Sequence, residues 1–289
     1  MAPQAFAEQN TAVITGGASG IGFALANKCA KYGMNILLVD NNQENLSLAQ
    51  KHLAEKISKD KQVLKAVAID VSNLDDWEKV KAAVEQDFNG KIHLLALNAG
   101  TSMRGTWATP NSAQYFQKIL SVNLFGVING INTLLPYVTK DTTPSSIIIT
   151  GSKQGITNPP GNPAYNASKS AVKTLAEHLS FDLAKSHPSI STHLLVPGWT
   201  HTGMTGGNSF QETGKPKGAW TPEQVVDYLE GKMEEGKFYA ICPDGDVTEE
   251  MDKKRMLWNA RDLVEERQPL SRWREGYKEE FEEFMKKDL

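Results

Sequence analysis

Short, nearly unbroken apolar runs alternate along the chain with longer stretches in which apolar residues return every three or four positions. The first type fits strands buried on both faces, the second amphipathic helices. On this reading NTAVIT (10–15), NILLVD (35–40), QVLKAVAID (62–70), IHLLALN (92–98), SSIIIT (145–150) and STHLLVP (191–197) are strands. Helices fall between them from about Ile21 to Tyr32, within Gln43 to Ser58, from Leu74 to Phe88, from Ser112 to Val138 and from Ala164 to Ser186. Strands and helices in strict alternation, with no hairpin signal, predict right-handed crossovers. The fold expected is α/β, a doubly wound parallel sheet with helices on both faces.

The rhythm stops after the sixth strand. Residues Gly198 to Pro222 hold six glycines and no apolar period, and so long a connection in a compact domain is usually a binding loop or a lid. A helix from Pro222 to about Glu235 and a last strand, KFYAICP (237–243), come next. These elements make residues 1–246 a single domain. Residues 247–289 are heavily charged, with Trp273, Tyr277, Phe281 and Phe284 spaced as one helical stripe, and read as a helical extension docked on that domain.

Composition narrows the function classes. With 289 residues, 40% of them hydrophobic, the chain can bury one large core. A net charge of -3 offers no basic excess for a nucleic acid or an anionic membrane. Cys29 and Cys242 are far apart and form no CxxC, and the six histidines do not cluster at metal-ligand spacing. No consecutive apolar stretch approaches the ~18 residues of a membrane span, and the N-terminus lacks the pattern of a secretory signal. The expectation is a cytoplasmic protein with small-molecule partners and no metal.

Ligands of open parallel sheets bind beyond the carboxyl ends of the strands, so the residues just past each strand are the candidates for chemistry. After the first strand comes TGGASGIG (15–22), where Gly16, Gly20 and Gly22 with Ser19 and Ile21 lead into a helix N-terminus suited to a phosphate. A tight turn without ligand is the alternative. Asp40 ends the second strand, where a carboxylate reads ribose hydroxyls or caps the next helix. A 2′-phosphate would meet like charge there, so NAD is expected over NADP. Asp70 and Val71, then Asn98, Ala99 and Gly100, then Ser152, then Pro197 and Gly198 stand at the ends of the later strands. Tyr165 and Lys169 in YNASK lie four apart, on one helix face. An adjacent ammonium is expected to lower the phenol pKa and fit it for proton exchange, with Ser152 holding the same substrate oxygen.

Taken together, these motifs resemble the short-chain dehydrogenase/reductase family over roughly residues 10 to 202, which implies a Rossmann-like fold and a nicotinamide cofactor. The resemblance makes Tyr165 the acid-base, Ser152 the group that positions the substrate oxygen, and Lys169 the holder of the nicotinamide ribose. It makes Asn123, in SVNLFG, the support of a water relay; a helix-kink residue is the alternative. Asn98, Ala99 and Gly100 would line the middle of the cofactor, unless Asn98 mainly braces neighbouring strands. Asp70 and Val71 would meet the adenine, and Pro197, Gly198, Thr200 and Thr202 the nicotinamide end. The expected activity is hydride transfer between the nicotinamide and a moderately apolar secondary alcohol or ketone. The loop Trp199 to Trp220 and SMRGTW (102–107) would close the pocket, and a homo-oligomer, dimer or tetramer, is expected. Epimerisation or dehydration at the same site, or dinucleotide sensing without turnover, are the other readings. The tail beyond the last strand exceeds the family's usual length.

Overall fold

The computed structural model describes residues 3–58, 60–108, 110–210 and 214–288. One parallel sheet runs in the order β3-β2-β1-β4-β5-β6-β7, with β1 Thr11–Thr15, β2 Asn35–Asp40, β3 Leu64–Ala68, β4 Leu94–Leu97, β5 Ser145–Thr150, β6 Ile190–Val196 and β7 Tyr239–Ile241. All seven expected strands form, β3 shorter at both ends than its apolar run. The crossovers carry α1 Gly20–Lys31, α2 Gln43–Ala54, α3 Trp77–Asp87, α4 Ser112–Leu120, α5 Gly126–Val138, the short α6 Gln154–Thr157, α7 Pro163–Ser186 and α8 Pro222–Glu234. Strand order reverses between β1 and β4, opening a crevice at their carboxyl ends.

Alternate residues of each strand enter opposite cores. Ile14, Leu38, Ala96 and Ile148 pack with Ala24, Leu25, Leu46, Leu53, Val225 and Leu229 of α1, α2 and α8. Val13, Leu37, Leu95 and Ile149 pack with Val80, Val84, Val127, Leu134, Val172 and Leu183 of α3, α5 and α7. Burial on both faces is why these strands read as continuous apolar runs.

The expected helix from Ser112 to Val138 is interrupted. Ser121–Phe125 form a π-helical turn between α4 and α5. Over its 27 residues the whole run is long and apolar enough to cross a bilayer by length and composition. Gly130, Leu134 and Val138 are instead buried inside the domain.

The extension departs from a single stripe. It folds as α9 Glu249–Val264 and α10 Lys278–Lys286, while Trp273 and Tyr277 sit in short 3-10 turns between them. Only Phe281 and Phe284 keep helical spacing, and both rings pack on the buried Trp258 of α9, at 5.2 Å between centroids. Trp273 stays 43% exposed. The Trp258 indole donates to Ser271 Oγ at 2.8 Å, which draws the intervening turns onto α9. Trp258 is therefore the centre of the extension, and nothing in its spacing singles it out.

Candidate active site

The glycine loop is shaped by contacts that leave no space for side chains. Gly16 and Gly20 take φ of +62° and +52°, in the left-handed region that glycine favours. A Cβ at Gly22 would collide with the Gly16 carbonyl oxygen. Ser19 enters α1 in extended conformation without a side-chain cap, and the first turn holds no acidic residue. The Gly20 N–H donates instead to Ser209 Oγ at 2.7 Å. At the end of β2 the Asp40 carboxylate accepts from Ala18 N at 3.2 Å and Asn42 N at 3.1 Å, binding the glycine loop to the neighbouring strand end.

Thr15 ties in the chain leaving β4. Its hydroxyl accepts from Asn98 N at 2.9 Å and Ala99 N at 3.0 Å. The Asn98 side chain braces the strands: Nδ2 donates to Thr15 O at 3.2 Å, and Oδ1 accepts from Thr150 Oγ1 at 3.1 Å. Gly100 comes so close to α7 that an added Cβ would lie 3.6 Å from Lys169 Nζ. Asp70 is exposed and closes a turn by accepting from Ser72 N at 2.9 Å. Val71 is buried, its carbonyl accepting from Trp77 Nε1 at 3.0 Å.

Pro163 starts α7, its fixed φ suited to a first turn, and Tyr165 and Lys169 follow one turn apart. The Lys169 ammonium lies 5.9 Å from the Tyr165 ring centroid and donates to Thr150 O at 2.8 Å. Ser152, just beyond β5, lies beside the Tyr165 hydroxyl. Two motifs separate in sequence therefore meet at one point. Their titration departs from expectation: burial pushes the phenol of Tyr165 above its ordinary value, with Ser152 opposing, and burial pushes Lys169 down to about 8. Withdrawal from water disfavours the charged form of both, and this outweighs the expected help of the cation to the phenolate.

Asn123 is fully buried in the π turn. Its Oδ1 accepts from Thr101 N at 2.7 Å, and its Nδ2 meets Thr101 O at 3.0 Å and Ser168 Oγ at 3.1 Å. The side chain thus ties the segment after β4 to α7, so both its readings have a basis: it marks the helix break and stands beside Lys169.

From the end of β6, Pro197 O accepts from Lys153 N at 3.3 Å. The buried Thr200 donates to Gly198 O at 3.3 Å. The Thr202 methyl would lie 3.1 Å from a Cβ on Gly20, so the last expected contact residue closes back on the glycine loop. Met103, Trp107, Trp199 and Met204 are exposed around this edge. The expected closing loop is seen to Phe210 and from Gly214; residues 211–213 lie outside the described residues. Ser209 and Thr101 were not legible from the sequence, since a serine in an aperiodic loop or a threonine past a strand end carries no spacing signal.

The crevice fits a dinucleotide by its own geometry: a helix N-terminus without an N-cap side-chain bond or acidic residue for a pyrophosphate, a carboxylate one strand away for ribose hydroxyls, and a buried amine beside a phenol. The short chain dehydrogenase family matches residues 10–213. The chain is 33% identical over 194 residues to 3β-hydroxysteroid dehydrogenase 2 of Eggerthella lenta, covering 67% of this chain and 72% of that one. Among solved structures, a short chain dehydrogenase/reductase from Burkholderia phymatum in complex with NAD has a TM-score of 0.77 at 26% identity, covering 91% and 96% of the two chains. A short-chain dehydrogenase from Sphingobium yanoikuyae in complex with NADPH has a TM-score of 0.70 at 22% identity, covering 89% and 95%.

Proposed function

Because the chain belongs to the short-chain dehydrogenase/reductase family, we propose that it is an NAD-preferring alcohol dehydrogenase or carbonyl reductase acting on a moderately apolar secondary alcohol or ketone. The convergence of Ser152, Tyr165 and the buried Lys169 at one strand end carries this reading. A bound nicotinamide would supply or accept the hydride. The chain's own residues do the rest. Gly16, Ser19, Gly20, Ile21 and Gly22 offer the helix N-terminus to the pyrophosphate, and Asp40 accepts from the ribose hydroxyls. Ser152 holds the substrate oxygen while Tyr165 exchanges a proton with it.

A phenol raised by burial stays protonated at neutral pH, which suits it to donate in carbonyl reduction. Alcohol oxidation, which needs the phenolate, gains as pH rises. The exposed Met103, Trp107, Trp199 and Met204 support an apolar substrate, as does a relative named for a hydroxysteroid. Phe125 and Phe181, 52% and 74% exposed on the helical face of the π turn and α7, support self-association as a dimer or tetramer.

The test is a spectrophotometric screen at 340 nm of alcohols and ketones with NAD(H) and NADP(H), repeated with Tyr165→Phe. The variant should lose ~10²- to 10⁴-fold in kcat while its cofactor affinity stays within a few fold. A variant retaining more than about a tenth of the activity would remove Tyr165 from the acid-base role.

A further inference from the structure

Next to Ser152 stands a buried charge cluster that joins three distant parts of the chain. The Lys153 ammonium is ion-paired with Asp244, in the turn after β7, and with Asp252 Oδ2 of α9 at 2.6 Å. The three side chains are 14%, 17% and 4% exposed. The second oxygen of Asp244 accepts from Trp199 N at 2.7 Å, and its carboxylate lies where a Cβ on Gly198 would be. Further along the turn that carries Lys153, Asn259 Nδ2 of α9 donates to Ile156 O at 3.1 Å. Arg255, 3.8 Å from Asp252, and Arg272 face the pair from the extension itself.

We propose that Asp252 is a positioning residue for Ser152, acting through Lys153, so that the C-terminal extension completes the active site. Lys153 directly follows Ser152 in the turn that opens α6. Its N–H donates to Pro197 O, and its carbonyl accepts from Ile156 N at 3.0 Å and Thr157 N at 2.8 Å, so the turn moves as a unit. The direction of the Lys153 side chain is fixed by the two carboxylates. Moving Asp252 therefore moves the turn that carries the serine hydroxyl. Holding the Ser152 hydroxyl on a substrate oxygen tolerates displacement of only about 0.5 Å, the range within which functional groups must be held. Buried ion pairs fix geometry better than they add stability, which suits this arrangement. Asp244 extends the coupling to Gly198 and Trp199, at the opposite wall of the crevice. The inference rests on Ser152 acting on the substrate oxygen.

The experiment compares Asp252→Asn, alone and combined with Ser152→Ala, using NADH and the ketone that gives the fastest oxidation at 340 nm. Asp252→Asn should lower kcat at least about fivefold, with KM and the NADH dissociation constant within about twofold. Amides of Gly155 to Asn158 should exchange hydrogen at least about tenfold faster, with protection elsewhere kept. In the Ser152→Ala background the further loss should vanish, because both changes act on one group. Equal losses in both backgrounds, or unchanged exchange and unchanged kcat, overturn the proposal. If Ser152→Ala leaves kcat intact, the role of Ser152 is wrong, and exchange alone then decides whether Asp252 holds the turn. Should Asp252→Asn fail to fold, Asn259→Ala removes a contact with the same turn and leaves the buried charges in place. It should give a smaller kcat loss with the same non-additivity, and its silence in both readouts overturns the proposal.

Discussion

Lys169→Met should make the protein more stable while abolishing its proposed activity. The amine is buried and its pKa is pushed from 10.5 down to about 8. An unfolded chain binds that proton at pH 7 more readily than the folded one, and at 1.36 kcal/mol per unit the difference favours unfolding by about 3 kcal/mol. Methionine fills similar volume without charge. It forfeits the hydrogen bond to Thr150 O, 2.8 Å from Nζ, worth about 1.5 to 3 kcal/mol because the donor is charged. The net gain at pH 7 is at most about 1.5 kcal/mol, or a Tm rise of up to about 2 to 3 °C for a chain this size. Because the folded pKa lies below the unfolded one, the penalty carried by the wild type is complete below about pH 8 and fades as pH rises to about 10.5. Urea and thermal unfolding without cofactor, at pH 7 and pH 10, measure it. A variant less stable at pH 7, or a gain of equal size at both pH values, would refute the reasoning.

Three further outcomes are expected. Asp40→Ala should erase a wild-type preference for NAD over NADP; a like-charge pair at ~4 Å costs about 4 kcal/mol at an effective dielectric near 20, so even half of that discriminates more than tenfold in kcat/KM. A wild type preferring NADP would contradict this. Ser209→Ala should tighten NADH binding about two- to tenfold, since a hydroxyl now bonded to the Gly20 amide competes with a phosphate there for ~0.5 to 1.5 kcal/mol; weaker binding by titration would show that Ser209 assists instead. Trp258→Ala should cost about 3 to 5 kcal/mol by emptying the centre of the extension, and limited proteolysis should then cut first within residues 249–288.

The sheet was legible because both faces of each strand are buried, which leaves a continuous apolar signature, and because each crossover helix keeps its own period. The cluster of Ser152, Tyr165 and Lys169 was legible because Tyr165 and Lys169 share a helix and Ser152 lies just past a strand. What escaped depends on contacts between segments far apart. Asp252 reads as one acid in a charged helix until Lys153 is seen against it. Trp273 and Tyr277 carry helical spacing, but the turns between α9 and α10 follow Ser271, which is held by Trp258 and by Asp262. The titration of Tyr165 and Lys169 escaped as well, because spacing reports proximity and says nothing of burial.

The π turn at Ser121–Phe125 acts on the phase of its helix. Among the buried positions, Tyr115, Ile119, Asn123, Val127, Gly130, Leu134 and Val138 return once per turn over six turns, and six turns of regular α-helix use about 22 residues. The run from Tyr115 to Val138 is slightly longer, and the wide turn absorbs the surplus. One rod can thus present Tyr115 and Ile119 to Ala164 at the start of α7, and Val127 and Leu134 to the sheet. Changes of length should therefore act differently inside and outside the turn. Deleting one residue other than Asn123 between Ser121 and Phe125 would leave a regular helix of about six turns with both apolar faces still in phase, whereas deleting one near the start of α5 would rotate the rest of that helix by about 100° and turn its apolar face to water.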